Sequence, residues 1–356
     1  MIPTNFKYKK ASSVSQAVKL LEKHGYGAKI MSGGHSLVPA MKLRLNAPEV
    51  VIDIKSIKGL DRIRETEKYI KIGANVTHYQ IATSELVKAK LGVLSQTART
   101  IGDTQVRYRG TIGGSLAHSD PAADYPATVL ATDAIIIVKG PNGKRKIPAT
   151  DFFQGIFTTA LEDNEIITQI NFPKNQQGTY LKFFQPASRF AVVGVAAVKD
   201  GDKVKIGVTG VADTPYRASA VEAAWNGSNA EDAASHAVDG VEAMGDHFAS
   251  SEYRAHLAKV FTKKALESIS TPTVVDDLTK VEGIGPKIAE IFNDNGITSF
   301  EALANTSVDD LKAMLVAAGN RFARHNPGTW PAQARLAADG KWDELKKWQD
   351  ELDGGV

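Results

Sequence analysis

The chain has 356 residues, 43% of them hydrophobic and 23% charged, and it contains no cysteine. This composition suits a soluble protein with two or three cores, and it excludes disulfides, thiolate nucleophiles and cysteine-ligated zinc or iron–sulfur clusters within the chain. The net charge of +3 conceals a division: from Asp277 onward 9 Lys and Arg stand against 13 Asp and Glu, a net of −4, leaving 34 against 27, or +7, elsewhere.

An acidic tail and a basic body therefore read as separate modules. No apolar run is long enough to span a bilayer, and the opening MIPTNFKYKK lacks the apolar core of a signal peptide, so a cytoplasmic location is expected, with any placement at the inner face of a membrane left to partners. The eight histidines show no metal-ligand spacing, and no metal site is expected.

In chain order, ASSVSQAVKLLEKHGYGAKIM predicts an amphipathic helix with Val14, Ala17, Leu20 and Leu21 on one face, then a strand running into SGGHS at 32–36. VVIDIKSI and YIKIGANV read as strands. HYQIATSELVKAKLGVLSQTARTIG reads as helical and ends at a glycine. A second loop, TIGGS at 111–115, follows. ATVLATDAIIIVKGPNGKRKIPATDFF then holds a strand and a turn, and EIITQINFP a closing strand. Tyr180 to Phe184, Ala191 to Lys199 and Lys203 to Val211 predict three antiparallel strands, with Asp200-Gly201-Asp202 as a tight hairpin. Alanine-rich helices follow from Ala218 to Ile269.

SISTPTVV (268–275) is the best linker. Beyond it the pattern is wholly helical, with capping-box spacing at Thr298/Glu301 and Ser307/Asp310. Trp330, Trp342 and Trp348 are expected to build the core of this small module. The domains are thus 1–173, 174–270, a linker at 271–276, and 277–356, in an α+β class with an all-α end.

Three Gly-Gly pairs occur, against about 2.5 expected by chance at this glycine content. The pairs alone prove nothing, and their flanks carry the signal. A Gly-Gly turn brings consecutive amides close to a ligand and forms an anion nest. Neither loop is GxGxxG or GxxxxGK[ST], and neither has the lysine that phosphoryl transfer needs. Two nests converging on one site, helped by the Ser36, Thr111 and Ser115 hydroxyls, suit a diphosphate that stays bound, as in a dinucleotide cofactor. Asp120 and Asp124 would accept hydrogen bonds from sugar or ribityl hydroxyls, which favours FAD; the alternative is that they serve only as turn or cap residues.

SGGHSLVPAMKLRL and RGTIGGSLAHSDPAADYPA resemble the two FAD-binding loops of the flavoprotein (medium) subunit of molybdenum hydroxylases, the carbon monoxide dehydrogenase and xanthine dehydrogenase family. FKYKKASSVSQAVKLLEKHG, YLKFFQPASRFAVVGVAAV, GVTGVADTPYRASAVE and SSEYRAHLAKVFTKKAL are similar to it in the same order, over residues 1 to about 270. The resemblance implies a two-subdomain FAD-binding fold of the vanillyl-alcohol-oxidase type, then a three-stranded antiparallel sheet with helices. It implies that Ser32, Gly33, Gly34, His35, Ser36, Leu37, Thr111, Ile112, Gly113, Gly114 and Ser115 surround the diphosphate. Asp124 would serve the ribityl region, Lys182 and the Ser188-Arg189-Phe190 segment would lie near the ring, and Asp120 and Ile167 are further expected cofactor-binding residues. Phe190 stands where many relatives carry tyrosine, which keeps stacking but removes a phenolic hydrogen bond.

It further implies electron transfer without a catalytic residue of this chain's own. The molybdenum cofactor would sit on a large partner and the [2Fe–2S] clusters on a small one, in a dimer of heterotrimers. His35 is read as a loop residue closing the nest, covalent flavin attachment being the alternative. In the tail, VEGIGPKIAEIF resembles a helix-hairpin-helix motif; its net charge of −4 opposes nucleic-acid binding and favours docking of a protein. The competing functions are a free-standing flavin-dependent oxidoreductase and a scaffold or nucleic-acid-binding protein led by the tail.

Overall fold

The computed structural model describes residues 2–270 and 276–352. They fall into two compact units, 1–271 and 272–356. Of the expected linker, residues 271–275 lie outside the described residues, as does the Gly354-Gly355 pair.

The larger unit opens with β1 (Lys7–Lys10), α1 (Val14–His24), β2 (Ala28–Met31), α2 (Leu37–Lys42) and β3 (Val50–Asp53). The three strands form a parallel sheet in the order β1-β3-β2. Helix α1 begins where the Ser13 side chain accepts the Gln16 amide, and it buries Ala17, Val18 and Leu21. Val14 and Leu20 lie at the margin of that core.

Strands β4 (Ile63–Glu65) and β5 (Tyr69–Gly73) begin a second sheet. The stretch after it, expected as one helix, is three: α3 (His78–Thr83), α4 (Glu85–Lys90) and α5 (Gly92–Thr100). Ser84 is extended and caps α4 through the Val87 amide, and Leu91 at φ −154° breaks the chain before α5. The apolar period survives the breaks because all three helices bury residues in the same core.

Next come α6 (Thr104–Arg109), α7 (Ile112–His118) and α8 (Tyr125–Ala131). The segment 127–153 supplies not one strand but the end of α8 and a hairpin of β6 (Ile135–Gly140) and β7 (Gly143–Pro148). After the short pair β8 (Phe153–Gly155) and β9 (Thr158–Thr159), β10 (Ile166–Pro173) enters the middle of the sheet, giving the antiparallel order β4-β5-β10-β6-β7.

The third sheet contains β11 (Gly178–Phe184), β12 (Ala191–Asp200), β13 (Lys203–Thr209) and a two-residue β14 (Tyr216–Arg217), one short strand more than expected. Gly201 at φ +62° lets a two-residue turn join β12 to β13 with Asp200 opposite Lys203. Helices α9 (Ser219–Ala224), α10 (Ala230–Ser235) and α11 (Ser251–Ser270) cover this sheet. Residue 173 marks a change of sheet inside one unit: Tyr180, Ala196 and Val198 share a core with Ile70 and Val129.

The smaller unit holds α12 (Pro286–Asp294), α13 (Phe300–Ala304), α14 (Val308–Ala317), α15 (Asn320–Ala323), α16 (Trp330–Ala338) and α17 (Trp342–Glu351). Ser307 caps α14 as its spacing predicts. The cap of α13 is Ser299, not Thr298, whose carbonyl instead accepts the Asp276 amide. Of the three tryptophans, Trp330 is buried edge-on to Phe292, whereas Trp342 is 42% exposed and Trp348 is half-buried. One indole, not three, builds this core.

Buried Arg254 fastens α11 to the third sheet. Its Nη1 donates to the Val192 and Gly210 carbonyls at 2.7 and 2.5 Å, and Nη2 to Asp246 at 2.7 Å. Against the burial that would raise it, this bond and the Phe248 and Ala249 amides bring the Asp246 carboxyl below its usual range. Arg254→Leu takes the guanidinium donor from two carbonyls and the cation from the Asp246 carboxylate, which keeps the Phe248 and Ala249 amides, and is expected to cost about 3 kcal/mol. Thermal melting should show the larger unit's midpoint falling by roughly 6–12 °C; an unchanged midpoint would contradict this role.

Candidate functional site

The first glycine loop leaves β2 and enters α2; the second follows α6, and its Gly113-Gly114 pair forms the first turn of α7, capped by Thr111. They touch. A Cβ on Gly33 would overlap the Arg109 carbonyl, and one on Gly113 would lie 2.5 Å from the Ala74 Cβ. Gly34 sits at φ +76°, a conformation open to glycine.

Both loops are registered on one segment, Ala74 to His78. The Gly113 and Ile112 amides donate to the Ala74 and Val76 carbonyls at 2.9 and 3.1 Å, the His78 amide donates to the Gly110 carbonyl at 3.0 Å, and Thr77 bridges to Thr111. The buried Asn75 side chain donates to the Ile54 carbonyl at 2.8 Å and accepts from Ser32 Oγ at 2.6 Å. Ser32 Oγ lies 3.0 Å from Thr111 Oγ1, which in turn accepts the Gly114 amide at 3.2 Å.

The two pairs are therefore not equivalent nests. In the second, the amides of Ile112, Gly113, Gly114 and Ser115 are all bonded within the chain. In the first, the amides of Gly33, Gly34, His35 and Ser36 have no partner among the described residues. The expectation of two converging nests is corrected to one open nest braced by a closed loop. The His35 ring turns back on its own loop, with Nδ1 3.2 Å from the Gly33 carbonyl. Ser36 is exposed, while Leu37 and Ser115 are half-buried. Open amides at a turn without side chains fit a diphosphate.

Asp120 and Asp124 divide. Asp120 makes a turn, its Oδ1 accepting the Ala122 amide at 2.9 Å and its carbonyl the Ala123 amide at 3.0 Å. Asp124 is buried and accepts from Tyr180 Oη at 2.6 Å and Lys182 Nζ at 2.8 Å. Burial raises its pKa, and Lys182 and Tyr180 pull it back. Lys182, itself 2% exposed, also donates to the Thr100 carbonyl.

Phe190 is exposed on a turn closed by the Gln185 amide to its carbonyl at 2.8 Å. Arg189, at φ +61°, lies 5.1 Å from the Phe184 ring centroid, so the cation stacks on Phe184. The Ile167 side chain is buried in the core beside a bulge in β10; the neighbouring Thr168 carbonyl accepts the Ala74 amide, a link to the site through backbone alone.

Asn75, His78, Tyr125 and Tyr180 were not among the sequence-predicted site residues. Asn75 left one signal, an amide side chain between the apolar Ala74 and Val76 at a strand end. His78 left none. Its Nδ1 lies 3.1 Å from Tyr125 Oη, and burial first, then His35 and Arg107, push its pKa down to about 3.

Residues 4–175 match the FAD binding domain in molybdopterin dehydrogenase, 179–269 the CO dehydrogenase flavoprotein C-terminal domain, and 278–338 the RS2/RL21/YNQ2 HHH domain. The carbon monoxide dehydrogenase medium chain of Hydrogenophaga pseudoflava is 38% identical, over 75% of this chain and 98% of its own. The chain belongs to the FAD-binding medium subunits of the molybdenum hydroxylases. The glyceraldehyde dehydrogenase medium chain of Sulfolobus acidocaldarius is 35% identical over 76% of this chain and 100% of its own. A solved carbon monoxide dehydrogenase from Hydrogenophaga pseudoflava superposes with a TM-score of 0.73 at 39% identity, covering 76% of this chain and 98% of that one. This medium subunit is thus a flavoprotein of the oxidoreductase class, with FAD as its cofactor and a helix-hairpin-helix unit appended.

A neutral, buried His78 has a pH consequence. Its folded pKa lies below the ordinary value of about 6.5, so its contribution to stability is present above that value and is lost as pH falls toward about 3. Denaturant midpoints between pH 7 and 4 should fall more steeply for the wild type than for His78→Gln. Parallel profiles would contradict the buried, neutral assignment.

Proposed function

We propose that this chain relays electrons within a heteromeric molybdenum hydroxylase, taking them from [2Fe–2S] clusters on a small partner and passing them to an external acceptor. A large partner carries the molybdenum cofactor and the substrate site. The relatives named above favour the carbon monoxide dehydrogenase type. The observation that carries this reading is the open nest of Gly33 to Ser36, whose amides have no partner among the described residues, on a chain that has no cysteine for clusters.

FAD, when bound, supplies the redox chemistry, taking up and releasing electrons. Around it this chain binds and orients. The Gly33 to Ser36 amides and the Ser36 and Ser115 hydroxyls would hold the diphosphate, with Leu37 beside them in the chain. Asp124, Tyr180 and Lys182 form a buried, paired base that would support the ribityl chain and ring, with the Phe184–Phe190 turn as the segment that would lie toward the ring. His78 is buried against Tyr125 and its lowered pKa makes it a weak base, and Asp124 is already paired, so neither is disposed to abstract a substrate proton. This disfavours a free-standing oxidoreductase.

The acidic helical unit docks a protein partner. Lys287 and Lys346, near the hairpin and on α17, are paired with Glu290 and Asp350, which leaves them poorly disposed toward phosphates. A cytoplasmic dimer of heterotrimers follows from the same reading. Affinity isolation of the chain from its native cells should yield two further polypeptides, the smaller rich in cysteine, with iron and molybdenum in the preparation. Isolation of a flavin-loaded chain alone, active on a substrate of its own, would overturn the proposal.

A further inference from the structure

We infer that Asn75 is a positioning residue for flavin binding, acting through a one-way hydrogen-bond chain that locks the two glycine loops together. The inference rests on FAD occupying the loops. The Ile54 carbonyl can only accept, so the Asn75 amide nitrogen must face it and Oδ1 must face Ser32. Ser32 has one hydroxyl proton, and it goes to Asn75. The proton between Ser32 and Thr111 therefore comes from Thr111, whose oxygen accepts the Gly114 amide. The order is fixed: Gly114 amide to Thr111, Thr111 to Ser32, Ser32 to Asn75, and Asn75 to Ile54.

Two consequences follow. Neither Ser32 nor Thr111 keeps a proton to donate to a phosphate, so these two hydroxyls, expected at the diphosphate, are spent between the loops. The donors left for the ligand are the first-loop amides together with Ser36 and Ser115. Asn75 is 5% exposed; it touches the loops from behind and has no direct route to the ligand. Its removal takes one of two donors from the Ile54 carbonyl, which keeps the Ile57 amide, and leaves the Ser32 proton without its acceptor and free to rotate, so the nest loses its register.

Full-length apoprotein titrated with FAD tests this. Asn75→Ala and Ser32→Ala should each weaken FAD binding about ten- to a hundredfold, the range of one buried hydrogen bond lost. The double variant should be no weaker than the poorer single one, since both break one chain. Thr111→Val should join them, and Thr111→Ser, which keeps the hydroxyl, should restore affinity. Circular dichroism checks folding; Ser32→Ala, which removes one atom at a half-buried loop position, preserves the test where Asn75→Ala does not fold. Affinity within threefold of wild type in Ser32→Ala, or additive losses in the double variant, would overturn the inference. A wild-type chain that takes up no FAD would instead overturn the reading on which it rests.

Discussion

A single steric fact organises the larger unit: the Arg109 carbonyl lies where a side chain at residue 33 would begin. Only glycine permits that approach. It brings two loops, almost eighty residues apart in sequence, into one wall. The Ala74 to His78 segment then divides their labour, taking the Ile112 and Gly113 amides into its own hydrogen bonds while Thr111 takes those of Gly114 and Ser115, and the first loop's amides stay open. An anion site made of main-chain donors needs that asymmetry. Both loops open would leave eight amides competing for one diphosphate; both closed would leave no donors.

The interior behind the wall is polar but quiet. His78 is held neutral, and the Asp124 carboxyl, whose pKa burial raises, is met there by Lys182 and Tyr180, which oppose that rise. A buried pair of this kind adds little stability for its desolvation, yet it fixes geometry where the two sheets join. The result is a scaffold for a redox cofactor in which these two titratable groups are already committed, His78 to Tyr125 and Asp124 to Lys182 and Tyr180.

Much of this was legible in the sequence, for identifiable reasons. The strands at 180–184, 191–199 and 203–211 alternate or run apolar between clear turn residues, so their positions could be read almost to the residue. The glycine loops were visible through their flanks. Which amides stay open was not, because that depends on contacts between residues 74–78 and 110–114. The helices at 78–100 merged in the pattern because breaks at Ser84 and Leu91 leave the apolar period intact. Asn75 and Tyr180 were missed because burial turns an ordinary polar residue into a fixed one, and burial belongs to the fold. The tail's tryptophans misled for the same reason: composition says that an indole will pack, but not which one.

The most direct measurement is the visible absorption spectrum of the purified chain, followed by acid precipitation and chromatography of the supernatant. The account requires flavin bands in the native protein and intact FAD in the supernatant, since the nest holds a diphosphate through hydrogen bonds alone. Flavin that stays with the precipitate would mean covalent attachment, with His35 the first residue to examine. A colourless chain unable to take up added FAD would contradict the central claim.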